Sequence, residues 1–395
     1  MQYREDKRNG VQLSALGFGC MRFPGGLGRV DKNRTEALLL KAFASGINYY
    51  DTAYMYPGSE EALGEIFAKH GIRDKVYLAT KLPHAMCNKK EDFDRCFSEQ
   101  KKRLRTDYID YYMMHNFTDF AQWEKLCRLG VEEWIRDRMA SGEIRQIGFS
   151  FHGPYPEFVK LLDNYDWDFT LIQYNYINMN YQAGINGLHY AAEKGLSVFI
   201  MEPLLGGKLA NLPQEALALF EKARPGSKAA DWALRFVWDE PCVTLLLSGM
   251  NEIAQLEENL NVVETALPSS LTDQEKETIF AVKSIFKKSY KIPCTGCNYC
   301  MPCPRKINIP AFFEAYNTSY ALKRTAALNA YIVSAGALGE FPHYASDCTA
   351  CGKCSSQCPQ QIAIPTQLKT VRRRLQIPGM KGIMAIVSKV MAKLT

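Results

Sequence analysis

The sequence predicts an α/β protein, a (β/α)8 (TIM) barrel over residues 1–285 followed by a smaller, mostly α-helical domain over residues 286–395. Three observations carry this prediction. Eight short apolar runs alternate with longer helical patterns through the first 265 residues. The first run ends in GFGCMR, whereas a doubly wound open sheet, the competing architecture, usually places a G-x-G-x-x-G turn there. Eight of the 13 cysteines fall in two short motifs beyond the barrel pattern.

The runs are LGFGC (16–20), INYYDT (47–52), VYLATK (76–81), YIDYYMMH (108–115), IRQIGFS (144–150), FTLIQYN (169–175), LSVFIME (196–202) and VTLLLSG (243–249). Helical stretches separate them, among them 32–45, 59–69, 91–105, 122–141, 184–194 and 252–264. Asn-Gly at 9–10 predicts a hairpin that closes the bottom of the barrel. After residue 265, LPSSLTDQEKE offers a capping box from Thr272 to Glu275, which starts a helix leading out of the barrel. Residues 310–330 read as helix, and the tail has an apolar stripe at 383, 386, 387, 390, 391 and 394 that predicts a packed closing helix.

Composition narrows the class. The chain has 395 residues, 47% apolar and 23% charged, as expected of a globular protein with a large core. No run of 18 apolar residues is present, which predicts no membrane span. The N-terminus MQYREDKRNG lacks the apolar core of a secretory signal, so a reducing, cytoplasmic setting and metal-binding cysteines are expected rather than disulfides. The net charge is +6 and makes no case for nucleic acid.

In a barrel, the C-terminal strand ends surround one mouth. Asp51 ends the second run, with Tyr56 five residues later; Lys81 ends the third and His115 the fourth. Singly, each has a bland reading as a packed tyrosine, a core histidine or a structural ion pair. Together they make a proton-donor site. A tyrosine ordinarily ionises near pH 10, and a nearby ammonium makes it a better acid. Asp51 would hold Lys81 charged, and His115 would bind the substrate carbonyl or relay the proton. The reaction that fits is carbonyl reduction on a small-molecule substrate.

These residues bring a resemblance with them. GINYYDTAYMYPGSE (46–60), ATK (79–81), DYIDYYMMH (107–115), IGFS (147–150), QYN (173–175), EPLLGGKL (202–209) and SGMNEIAQLEEN (248–259) resemble the aldo-keto reductase superfamily over about residues 1–265. The resemblance implies a catalytic tetrad of Asp51, Tyr56, Lys81 and His115, with NADP(H) or NAD(H) across the barrel mouth. It assigns cofactor contacts to Cys20, Met21, Arg22 and Asp51, carboxamide contacts to Ser150 and Gln173, and a pyrophosphate loop to Pro203, Leu204, Gly206 and Lys208. The adenosine end falls on Gly249, Met250, Asn251, Gln255, Glu258 and Asn259. Three positions depart from the family pattern. Phe151 replaces the usual Asn, Met201 occupies the position of a nicotinamide-stacking aromatic ring, and Gln255 stands where members preferring NADP often have Arg. The missing Arg leaves NADPH and NADH both open, with Lys208 a partial substitute.

The cysteine motifs are Cys294-x2-Cys297-x2-Cys300-x2-Cys303-Pro and Cys348-x2-Cys351-x2-Cys354-x3-Cys358-Pro. Zinc is the alternative, but it needs two Cys-x2-Cys pairs per ion, and each motif here is a triplet with a Pro-flanked fourth cysteine. The second motif equals the bacterial ferredoxin pattern and the first is shorter by one residue; together they predict two 4Fe-4S clusters, which would bring the net charge from +6 to about +2. This end of the chain resembles dicluster ferredoxin domains. In that group the Pro-flanked cysteine serves the other cluster, so Cys294, Cys297 and Cys300 are expected to share a site with Cys358, and Cys348, Cys351 and Cys354 with Cys303. Three roles are open for the clusters: structural, sensing, or electron exchange with a partner. A redox-sensing or electron-transfer protein whose barrel turns over little is the second reading of the whole chain.

Overall fold

The β-branched and apolar runs close into an eight-stranded parallel barrel. Its strands are β1 Leu16–Gly19, β2 Tyr49–Asp51, β3 Tyr77–Leu82, β4 Ile109–Phe117, β5 Ile144–Phe151, β6 Phe169–Gln173, β7 Ser197–Met201 and β8 Val243–Ser248. Each pairs with its sequence neighbour, and β8 returns to β1 with Leu246 opposite Leu16. The computed structural model describes residues 1–26, 29–321, 324–336 and 342–384.

Strand alternation decides what faces inward. Tyr49, Ala79, Tyr111, Met113, Phe169, Leu171, Phe199, Leu245 and Leu247 pack together as the barrel interior. Two residues further along the same strands, Asp51, Lys81, His115, Gln173 and Met201 have the same parity. The site therefore forms the layer above the core, at the C-terminal strand ends. The other end is closed by the expected hairpin, Tyr3–Glu5 paired with Gln12–Ser14 around Gly10 (φ +72°). It places Leu13 in the core, and buried Asp6 accepts hydrogen bonds from Tyr111 Oη (2.5 Å) and Ser197 Oγ (2.7 Å).

The structure divides the single helix expected over 122–141 into Phe120–Arg128 and Val131–Ala140. Gly130 takes φ +86° between them, a left-handed conformation that ends one helix and starts the next. The capping box forms as read: Thr272 Oγ1 accepts from Glu275 N–H (3.2 Å), and Glu275 Oε2 accepts from Thr272 N–H (2.9 Å). Residues 310–330 hold two helices, Ile309–Ala321 and Arg324–Ser334. Of the tail stripe, all but residue 383 lies outside the described residues.

Two compact units result. The first comprises residues 1–204 and 227–276, and the second comprises residues 205–226 and 277–395. The second has its own core of Ile292, Ile307, Phe312, Phe313, Tyr331 and Val371, against which six of the eight motif cysteines pack. Among the described residues no helix is long and apolar enough to cross a membrane.

Packing around the barrel is tight enough to test. A Cβ on Gly64, in the helix Ser59–His70, would lie 2.3 Å from the Arg103 carbonyl oxygen in the helix Glu91–Leu104. Gly64→Ala should therefore destabilise the protein by roughly 1–3 kcal/mol, the usual range for overpacking. Urea denaturation followed by far-UV circular dichroism measures this, with iron content expected to stay unchanged.

Candidate active site and metal centres

Lys81 Nζ donates to Asp51 Oδ1 (2.5 Å) and to the Thr52 carbonyl (2.7 Å). Both charged side chains are nearly inaccessible, at 1% and 3% exposure. The same ammonium stands 4.9 Å from the centre of the Tyr56 ring. Tyr56 sits in the turn after β2 and meets His115 edge-on, with ring centres 5.9 Å apart. The four residues expected from the strand ends thus converge. Half-buried Tyr56 is the most accessible of them.

Burial sets the charges. It raises the Asp51 carboxyl, and Lys81 pulls it back. It holds His115 well below the ordinary histidine range, helped by the Lys81 charge and by two further histidines, His152 and His84. Those two lie just past β5 and β3, and burial lowers each to about 4. Near neutral pH all three are uncharged. His115 can donate a hydrogen bond but holds no labile extra proton. Neither His84 nor His152 stands out in the sequence, because a lone histidine beyond a strand end carries no motif.

The expected cofactor residues fall into two groups. In the first unit, Cys20, Met21 and Arg22 form a 3-10 turn after β1. Burial keeps the Cys20 thiol well above its usual range, so it stays protonated. Ser150 Oγ accepts from Asn116 N–H (2.7 Å), and Gln173 is paired in register with Met201. Buried Ser150 and Gln173 offer the donor and acceptor chemistry that a carboxamide needs, so these residues fit a nicotinamide. At the other end, Gln255 Oε1 accepts from Asn251 N–H (2.9 Å) and Asn259 Nδ2 donates to Ser248 Oγ (2.9 Å), while Met250 is buried. Glu258 is ion-paired with Lys228, a residue outside every motif. Gly249 has room for a Cβ, with Arg22 Cδ 3.5 Å away. Pro203 and Leu204 close this unit's first segment.

Gly206 and Lys208 belong to the second unit. Gly206 takes φ +65°, and a Cβ there would lie 2.2 Å from the Thr295 carbonyl oxygen. Lys208 is ion-paired with Glu314.

In the same unit the motif cysteines line two cavities. One is lined by Cys294, Cys297, Cys300 and Cys358, the other by Cys303, Cys348, Cys351 and Cys354. Each motif thus sends its Pro-flanked cysteine to the other motif's triplet. Burial and the neighbouring Cys294, Cys297 and Cys358 push the Cys300 thiol up to about 12. Burial also raises Cys358, against the backbone N–H groups of Ile362, Gln360 and Gln361, which lower it. Four sulfurs in one cavity are a donor set for a cationic core that takes them as thiolates, and each cavity fits a 4Fe-4S cluster.

Residues 15–278 match the model of the aldo/keto reductase family. The chain belongs to this family. Residues 293–385 match a 4Fe-4S dicluster domain. The chain is 28% identical over 304 residues to L-galactose dehydrogenase of Arabidopsis thaliana, covering 70% of this chain and 92% of that one. It is 26% identical over 331 residues to the oxidoreductase YrpG of Bacillus subtilis, covering 72% and 96%. Among solved structures it is similar to the holo form of the aldo-keto reductase AKR11C1 from Bacillus halodurans, with TM-score 0.59 and 24% identity over 71% of this chain and 96% of that one. At that identity the likeness speaks for the barrel fold. The protein is an oxidoreductase of this family with a 4Fe-4S dicluster domain.

Two predictions follow from the geometry. His84, His115 and His152 should stay neutral as the pH falls through the ordinary histidine value of about 6.5. The unfolded chain takes up protons there and the folded chain does not, so each of these histidines removes roughly 1.4 kcal/mol of stability per pH unit between about 6.5 and its own value. Nitrogen-15 imidazole NMR checks it, and titration of all three near 6.5 would contradict it. Cys303→Ser should damage the cluster of Cys348, Cys351 and Cys354 and spare the other. Iron counting with electron paramagnetic resonance reads this, and loss confined to the Cys294, Cys297 and Cys300 site would contradict the crossed arrangement.

Proposed function

We propose that the protein reduces an aldehyde or ketone, taking hydride from NADPH or NADH and the proton from Tyr56. The observation that carries this reading is the convergence of Lys81, Tyr56 and neutral His115 on the inward layer of the barrel mouth. The bound nicotinamide supplies the hydride. Asp51 fixes Lys81, and the Lys81 charge favours release of the Tyr56 phenolic proton. His115 donates a hydrogen bond to the carbonyl oxygen, and Tyr56 gives that oxygen its proton. Ser150 and Gln173 orient the carboxamide, so that one face of the ring meets the substrate.

The barrel, residues 1–285, holds the substrate and cofactor site in this reading, and residues 286–395 hold two 4Fe-4S clusters on the cysteine sets above. Clusters held by these cysteines would supply one-electron transfer to or from a partner, in a reducing cytoplasmic setting that keeps the thiols available to iron. Buried apolar lining around the first cysteine set supports a lasting structural contribution as well, because metal binding would add to folding stability.

Tyr56→Phe tests the assignment. It should leave nicotinamide binding intact by fluorescence titration and lower carbonyl-dependent NADPH or NADH oxidation at least about a hundredfold, the low end for general acid catalysis. Anaerobic protein screened against aldehydes, ketones and quinones provides the assay. A near-normal rate in the variant would remove Tyr56 from the mechanism.

A further inference from the structure

The two cysteine cavities differ electrically. The first is lined by apolar and uncharged side chains, among them Ile309, Phe313, Ile362 and Asn298. The second has Arg305 in its lining and includes Cys351, the one exposed cysteine of the eight. Arg305 and Lys306 directly follow the Cys303-Pro304 pair, Lys353 lies between Cys351 and Cys354, and all three are exposed. Pro365 and Leu368 of the helix Ile364–Leu375 also line this cavity. Exposed Lys369 and Arg372 stand one helical turn beyond them, on the same face. None of these five basic residues pairs with a carboxylate among the described residues. Residues 291–313 and 348–375 contain no Asp or Glu, and of the carboxylates that flank them Asp347 is paired with Lys381 and Glu314 with Lys208.

A basic surface attracts anions of several kinds, and the position of the cysteine narrows the choice. An exposed ligand sulfur is open to oxidants, a liability that the first cavity avoids. An exposed ligand sulfur near several unpaired cations serves a centre that must exchange electrons with another molecule. The unpaired cations would steer an acidic partner, and transient electron-transfer encounters need only a small interface.

We propose that Arg305, Lys306, Lys353, Lys369 and Arg372 form the docking surface for an acidic one-electron carrier protein of the flavodoxin or ferredoxin class, which exchanges electrons through the cluster of Cys303, Cys348, Cys351 and Cys354. The proposal rests on the reading that the motif cysteines hold two 4Fe-4S clusters. Each encounter moves one electron. The reduced carrier is oxidised by one electron and the cluster iron is reduced by one, with no bond or proton transferred.

The test uses anaerobic full-length holoprotein, with a purified acidic flavodoxin as probe. Titration calorimetry gives binding at about 20 mM and about 200 mM salt, and stopped-flow spectroscopy follows electron transfer from reduced flavodoxin. Binding should weaken steeply with salt. The triple variant Arg305→Gln, Lys306→Gln, Lys353→Gln and the double variant Lys369→Gln, Arg372→Gln should each weaken binding and slow association at least about tenfold. The double variant removes no residue adjacent to a cysteine, so it decides the matter if the triple variant loses iron. Full iron content with no flavodoxin binding, or unchanged binding in the double variant, overturns the docking surface alone. Zinc in place of roughly eight irons overturns the cluster reading with it. Phosphatidylserine vesicles serve as a second probe. If the double variant releases vesicles while leaving flavodoxin affinity intact, the patch is a membrane site and the proposal falls.

Discussion

The buried ion pair between Lys81 and Asp51 is the constraint on which the candidate active site depends. Taking two charges out of water costs several kcal/mol per ion, and their attraction does not reliably return it. At 2.5 Å, with the Thr52 carbonyl as second acceptor, Lys81 keeps a partner for its charge in a place water does not reach. Asp51 Oδ2 stays buried without a hydrogen-bond partner in the protein. A well-packed apolar pair would serve stability as well or better. What the ion pair adds beyond packing is a fixed positive charge 4.9 Å from the centre of the Tyr56 ring.

The barrel makes this constraint possible through alternation. The residues that pack its interior and the residues that carry chemistry have one parity on the same strands, two positions apart. An aromatic floor of Tyr49, Tyr111, Phe169 and Phe199 lies below, with rings in edge and tilted contact. That dry floor raises the Asp51 carboxyl and lowers His115 by the same physical cause, the loss of water around an ionised form. Alternation ends where it is no longer needed. Asn116, the residue after His115, turns to φ +64°, and its N–H is donated to Ser150 on the neighbouring strand.

Much of this was legible in the sequence because it is periodic or motif-bound. Eight apolar runs place eight strands, and three strand-end residues with a tyrosine five residues beyond one of them place the candidate tetrad. The crossed cysteine sets were expected from the resemblance to dicluster ferredoxin domains. What escaped reading depends on three-dimensional neighbours. Gly130 breaks a helix whose apolar pattern continues on both sides of it. His84 and His152 reach His115 from different strands, and Lys228 reaches Glu258 across 30 residues. The basic rim was hidden in the overall charge, since +6 spread over 395 residues says nothing about 28 residues, 348–375, without a carboxylate.

The loop after β7 shows how a segment can be assigned to one job by motif and to another by packing. Its glycines resemble a pyrophosphate loop, yet residues 205–226 pack with the cysteine-rich unit. Gly206 lies against the carbonyl of Thr295, the residue immediately after Cys294, at a distance no Cβ could tolerate. Its lack of a side chain is therefore needed whether or not a phosphate comes near it. Lys208 already has Glu314 as partner, but both side chains are part-exposed, at 26% and 53%, and such a pair contributes at most about 1 kcal/mol. Within the cysteine-rich unit, the close approach of Gly206 to Thr295 and the pairing of Lys208 with Glu314 already give both residues a packing role.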